Sequence, residues 1–138
     1  MNKPGNMVNI RECERVMVES SSDLAQFSCG DEDLDDFFAN DAYLYDKQLL
    51  GKTYYFALKG NGKIVGAFTV ANDSIKASLI SNAVRNKLQR KIPNAKRTRS
   101  YPAVLIGRIG VASDMRGNNI GSQIVEYIKY YCCPVKLF

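Results

Sequence analysis

Apolar residues change their spacing several times along these 138 residues, and each change predicts an element. Residues 7–18 carry Val8, Ile10, Val16 and Val18 among charges, which predicts an N-terminal strand. In "FSCGDEDLDDFFANDAYLYDKQL" the period switches, and Leu34, Phe37, Phe38, Ala42, Tyr45 and Leu49 fall on one helical face. Gly30 precedes that face, and Asp31, Glu32 and Asp33 suit the positive end of a helix dipole. The same carboxylates lack the spacing of a calcium loop, so they read as an acidic helix start.

"KTYYFALKGNGKIVGAFTVAN" returns to alternation. Tyr54, Phe56 and Leu58 lie before Gly60-Asn61-Gly62, and Ile64, Val65, Phe68 and Val70 follow it, which predicts a β-hairpin. Residues 75–92 give a mixed helical pattern around Ile80, Val84 and Leu88, and Pro93 and Pro102 bracket a basic loop. "AVLIGRIGV" is a nearly unbroken apolar strand with Arg108 inside it, as expected of a central strand. Ile120, Ile124 and Ile128, with Val125 and Tyr131, form a last helical stripe that Pro134 ends. Strand, helix, hairpin, helix, strand, helix is the order of an α+β or α/β fold. No repeat or linker divides the chain, so residues 1–138 are expected to form a single domain.

Composition narrows the chemistry. Apolar residues make up 46%, which argues against disorder. No run of 18 apolar residues exists and "MNKPGNMVNI" has no signal-peptide core, so a soluble cytoplasmic protein without a membrane partner is expected. Histidine is absent, and Cys13, Cys29, Cys132 and Cys133 form no spaced pair. Zinc sites, histidine bases and histidine triads are therefore excluded, and buried reduced thiols are expected. The net charge of +5 is local. Arg85, Lys87, Arg90, Lys91, Lys96, Arg97 and Arg99 occur between residues 81 and 100 with no acid, and the rest of the chain is slightly acidic. Such a stretch is either a solvated face or an attractor for a polyanion such as a nucleotide or RNA.

One junction concentrates unusual residues. In "VASDMRGNNIGSQIVEYI" a strand runs through Arg116, Gly117, Asn118 and Asn119 into a helix that begins near Ile120, Gly121 and Ser122. The first N–H groups of a helix have no intrahelical partner and sit at its positive end. Small residues let an anion approach them, and an arginine adds a charged fork. That combination reads as a phosphate cradle, the alternative being an ordinary turn. Neither the Walker A pattern nor the Rossmann fingerprint fits it.

"GRIGVASDMRGNNIGSQIVEYI" resembles motif A of the GNAT superfamily of acyl-CoA-dependent N-acetyltransferases. Arg116 matches the leading position of its Arg/Gln-x-x-Gly-x-Gly/Ala turn and Gly121 the closing small residue, while Asn119 stands where the family usually has glycine. "FSCGDEDLDDFF", "GKIVGAFTV" and "PAVLIGRIGV" extend the likeness to the subgroup containing the acetyltransferase toxins of toxin–antitoxin modules, which acetylate aminoacyl-tRNA. The resemblance implies a GNAT-like α+β fold, a mixed central sheet flanked by helices. It implies acetyl-CoA as co-substrate and no metal, with the pyrophosphate on Arg116, Gly117, Asn118, Asn119, Ile120, Gly121 and Ser122. The pantetheine arm would run along Ile109, Gly110 and Val111 of a bulged strand. The implied reaction is acetyl transfer to a primary amine: aminoacyl-tRNA held by the 85–99 stretch, or else a small-molecule or protein amine. An antitoxin protein is an implied partner.

In many members of that family a tyrosine beyond the next strand protonates the departing thiolate, and this sequence ends at Phe138 before that position. Tyr127, Tyr130 and Tyr131 read as packing residues, so no catalytic residue is assigned. The family adds further strands and a helix after this point, so the sequence reads as C-terminally truncated. An open apolar edge beside residues 103–111 is expected, covered by a second copy in a homo-oligomer or else rearranged there. The rival expectation is an inactive remnant that binds coenzyme A or nucleic acid.

Overall fold

Alternation along the predicted hairpin builds the middle of the molecule. In a computed structural model, which describes residues 7–76, 78, 80–91 and 100–131, four strands form one antiparallel sheet in chain order. They are β1 (Glu14–Met17), β2 (Lys52–Ala57), β3 (Ile64–Lys76) and β4 (Ser100–Val111). At the hairpin tip the Leu58 N–H donates to the Lys63 carbonyl at 2.8 Å, and Gly62 takes φ +72, where glycine meets no steric penalty. Buried Thr53 and Thr69 share a cross-strand hydroxyl hydrogen bond of 2.7 Å in the same pair of strands.

Helices cover both faces. α1 (Glu32–Asp36), a π turn (Phe37–Asp41) and α2 (Ala42–Lys47) form one continuous helical segment. Its start is capped by Asp31, whose carboxylate accepts the Asp33 and Leu34 N–H groups at 3.0 and 3.1 Å. Phe38 packs there against Gly110 of β4. On the opposite face lies α4 (Ile120–Tyr131), its buried Ile120, Ile124 and Ile128 turned to the sheet. Between α4 and the sheet the rings of Tyr54, Phe68, Phe56 and Tyr127 make a continuous aromatic layer.

A close approach makes this packing specific. A Cβ on Gly66 would lie 2.9 Å from Ile124 Cδ1, 3.1 Å from Ile120 Cγ2 and 3.2 Å from the Gly110 carbonyl oxygen. Alanine at this position therefore pushes α4 off β3. Gly66→Ala is expected to lose about 1–3 kcal/mol in urea unfolding, whereas an unchanged midpoint would mean that α4 moves aside at no cost.

The structure corrects several expectations. Of the N-terminal strand expected over 7–18, only Glu14–Met17 pairs, because Ile10–Glu12 forms a 3-10 turn capped by the Asn9 side chain. Leu49 leaves the helical face expected of it. It takes φ +60 after α2 and stands 91% exposed. β3 continues to Lys76, so Ile75 is a strand residue, and the next helix, α3 (Asn82–Lys91), begins only there. Pro102 lies within β4 opposite Ser74, as an edge strand permits, and does not bracket a loop. β4 itself is the outer strand among the described residues, with Leu105 and Ile106 exposed. On α3 the expected apolar stripe fails at Val84, which is exposed. Pro93, Cys132, Cys133 and Pro134 lie outside the described residues.

Cys13 and Cys29 are buried free thiols, and burial raises both above the usual thiol pKa. No helix among the described residues is long and apolar enough to cross a membrane.

Candidate functional site

β4 is irregular just before the junction singled out in the sequence. Thr69 pairs with Arg108 but Val70 with Ile106, so Gly107 is an extra residue and the strand bulges there. Beyond the bulge, Ile109 and Val111 are half-buried, and Gly110 is buried with Phe38 and Phe27 over it. The far edge of these residues carries no partner strand among the described residues, which leaves main-chain groups open.

The chain then turns. Ala112 donates its N–H to Val65 at 3.0 Å, and Ser113–Met115 make one 3-10 turn. Ser113 donates both its N–H and its hydroxyl to the Ser28 carbonyl, each at 3.0 Å. Exposed Arg116 donates to the Cys29 carbonyl at 3.2 Å. Gly30 takes φ +88, which favours a glycine, and a Cβ there would lie 2.8 Å from that guanidinium nitrogen, the movable end of a flexible side chain. Residues 28–30 are thereby fastened to the turn.

Asp35 fixes the same loop from the other side. Its carboxylate accepts the Cys29 N–H at 2.7 Å and the Ser28 hydroxyl at 3.1 Å. The Cys29 hydrogen bond is the main cause that holds the Asp35 pKa below its ordinary value. A depressed folded pKa gives stability that is present above the unfolded value, about 3.9, and lost as pH falls through the folded one. Asp35→Asn keeps an acceptor but loses the charge, so its stability should lie below wild type at neutral pH and converge on it in acid. Urea midpoints measured from neutral to acid pH check this, and parallel curves would count against it.

Within the turn, Gly117 (φ +89) and Asn119 (φ +56) both take left-handed backbone, which asparagine tolerates better than most residues. Asn119 offers its carbonyl to the Gln123 N–H at 3.0 Å and so begins α4. Asn118 differs from expectation: it is fully buried, not part of an exposed turn. Its Oδ1 accepts the Val8 N–H and its Nδ2 donates to the Met115 carbonyl, both at 3.0 Å. Gln123 completes the pattern. It accepts the Ile10 N–H at 2.9 Å and donates to the carbonyls of Val8 and Asn118 at 2.8 and 2.9 Å. Two side-chain amides thus act as a strand partner for residues 8–10. Sequence spacing carries no signal for a pair 110 positions apart.

The predicted residues fall into two adjoining groups. Ile109, Gly110 and Val111 end β4, and Arg116, Gly117, Asn118, Asn119, Ile120, Gly121 and Ser122 lead into α4. The side chains of Asn118 and Ile120 are buried, so these two have only main chain to offer a ligand. Gly121 is the informative position. A Cβ there would touch only Val111 Cγ2, at an ordinary 3.7 Å, so internal packing does not demand glycine. Of the basic stretch, Arg85, Lys87, Arg90 and Lys91 lie on α3, while Lys96, Arg97 and Arg99 fall outside the described residues. Among the described residues no cluster of three or more His, Cys, Asp or Glu is placed to hold a metal.

No family model and no curated protein matches the sequence. Solved structures do match the fold. The chain is similar to AtaT complexed with acetyl-methionyl-tRNAfMet, at 16% identity and a TM-score of 0.68 over 87% of this chain and 68% of that one. It is similar to the Y145F mutant of KacT, at 18% identity and a TM-score of 0.65 over 86% of this chain and 68% of that one. It is also similar to the AtaT Y144F mutant toxin bound to the C-terminus of the antitoxin AtaR and acetyl-CoA, at 15% identity and a TM-score of 0.60, covering 86% of this chain and 64% of that one. The chain thus spans about two thirds of the length of these proteins, and over that span its α+β fold is theirs.

Proposed function

We propose, from the fold shared with the GNAT toxins, that this chain is an acyltransferase that moves an acetyl group from acetyl-CoA to a primary amine. The observation that carries the proposal is Gly121. Gly121 lies in the first turn of α4, and the fold has room there for the missing Cβ, so packing inside the fold does not account for a glycine. What needs the space lies outside the fold, at the positive end of α4, beside Arg116.

In this reading the pyrophosphate rests on the open N–H groups of the turn and first helical turn, with the Arg116 guanidinium beside it. The pantetheine arm lies along the open main-chain edge of Ile109, Gly110 and Val111, where the Gly107 bulge breaks regular pairing. A neutral amine attacks the thioester carbonyl, so a C–N bond forms and the C–S bond breaks. Main-chain N–H groups stabilise the oxyanion, and the proton lost by the amine goes to the departing thiolate. No general acid is assigned among the described residues.

The finer reading is that the amine belongs to an aminoacyl-tRNA. It is supported by the seven bases between Arg85 and Arg99 and by the acetylated tRNA in the complex of the similar protein AtaT. An antitoxin partner follows from the same likeness. Incubating the chain with acetyl-CoA and a panel of amines and aminoacyl-tRNAs, and following free thiol, tests the proposal. Turnover with an amine bears it out. Coenzyme A binding without turnover on any acceptor would contradict it and leave a binding module.

A further inference from the structure

Arg108, directly after the bulged Gly107 of β4, is a charged side chain that the acetyl-CoA reading leaves without a task. It is half-buried, and its guanidinium carbon lies 3.8 Å from the centroid of Phe37 and 5.8 Å from that of Tyr45. The two rings themselves meet edge to face at 5.1 Å and 86°. Phe37 and Tyr45 are eight positions apart, which in a regular helix leaves them about 80° from one another. The π turn at Phe37–Asp41 absorbs one residue, with the Ala42 N–H reaching back to the Phe37 carbonyl, and brings Tyr45 under Phe37. On the other side Gly107 is the bulged residue directly before Arg108. Two local irregularities, one in the helical segment and one in the strand, converge on a single guanidinium.

That cation has no anion among the described residues. Among the described residues Arg108 takes part in no ion pair and no side-chain hydrogen bond. Stacking engages the flat face of a guanidinium and leaves its N–H donors in the plane, oriented as a fork for a carboxylate or phosphate. We propose that Arg108 is a specificity-determining residue that binds an oxyanion, a carboxylate or a phosphate, carried close to the amine of a small-molecule or protein acceptor, a group that the esterified amino acid of an aminoacyl-tRNA does not supply there. The inference rests on the acetyl-transfer reading, because the thioester would lie along Ile109, Gly110 and Val111. Arg108 directly precedes Ile109 in β4, so the recognised group belongs to the part of the acceptor near its amine.

Three acceptors of equal spacing separate the possibilities: ethanolamine, β-alanine and O-phosphoethanolamine. Wild type should acetylate at least one of the two anionic acceptors with a kcat/KM about tenfold or more above ethanolamine, and the better of them identifies the anion. The ratio should fall towards one in Arg108→Gln and be intermediate in Arg108→Lys, which keeps charge but not the planar fork. An independent readout needs neither turnover nor a variant that folds. Inorganic phosphate and acetate are titrated into the isotope-labelled wild-type protein while the Arg108 side-chain Nε–Hε resonance is followed. A saturating shift supports the proposal. An immobile resonance with both anions, or the same acceptor preference in wild type and Arg108→Gln, overturns it. Failure of all acetyl transfer with a shifting resonance would sink the enzymatic reading alone.

Discussion

Valine at position 121 is expected to lower coenzyme A affinity by about a hundredfold or more, close to 3 kcal/mol, while the protein stays folded. The two halves of this result have separate causes. Folding tolerates the change because the first added carbon meets only Val111 Cγ2 at 3.7 Å, and valine is no worse than glycine in a helix. Binding does not, because a branched side chain covers the N–H groups at the start of α4 that an anion must approach. Calorimetric titration with coenzyme A, paired with a thermal melt, reads both. Unchanged affinity in a folded variant would mean that nothing docks at Gly121.

The largest stability loss is expected at Phe68. It is fully buried, stacks with Tyr54 at 5.4 Å and Phe56 at 5.9 Å, and meets Tyr127 of α4 at 6.1 Å. Phe68→Ala removes the ring that joins β3 to α4, and the layer cannot close over the gap without moving the helix. The expected cost is about 3–5 kcal/mol, a large share of the roughly 5–15 kcal/mol that holds a domain together. The melting temperature should drop by about 10–20 °C. Leu105→Ala, at a residue 52% exposed on β4, should shift it by far less. Similar losses at the two positions would place the core elsewhere.

Sequence periodicity located the main elements because burial imposes it. Ile120, Ile124 and Ile128 recur every four residues and all three are buried, and the alternation around Gly60-Asn61-Gly62 became the β2–β3 hairpin. What periodicity missed depends on tertiary contacts. The π turn exists because Phe37, Phe38, Ala42 and Tyr45 all pack inward, and no local preference announces its extra residue. Leu49 matched the helical face by spacing but falls after the segment has ended in a left-handed residue. Asn118 looked like a ligand-facing turn residue because its partner, the Val8 main chain, is remote in sequence. The candidate site was more legible than its supports. Arg116, Gly117, Asn119 and Gly121 were visible as a cluster of small and basic residues. Their fastening to Cys29 and Asp35 was not, since it runs through carbonyl and amide groups that every residue carries.

Coenzyme A binding at the turn is the claim on which the functional reading stands, and titrating wild type and Arg116→Ala by calorimetry tests it most directly. Removing the guanidinium deletes a charge-assisted hydrogen bond worth about 1.5–3 kcal/mol, so affinity should fall about ten- to a hundredfold. The variant also loses the 3.2 Å bond to the Cys29 carbonyl, so a melt must show that it is folded at the titration temperature. Measurable binding by wild type and that loss in folded Arg116→Ala is the predicted result; equal affinities, or no binding by wild type, would contradict it.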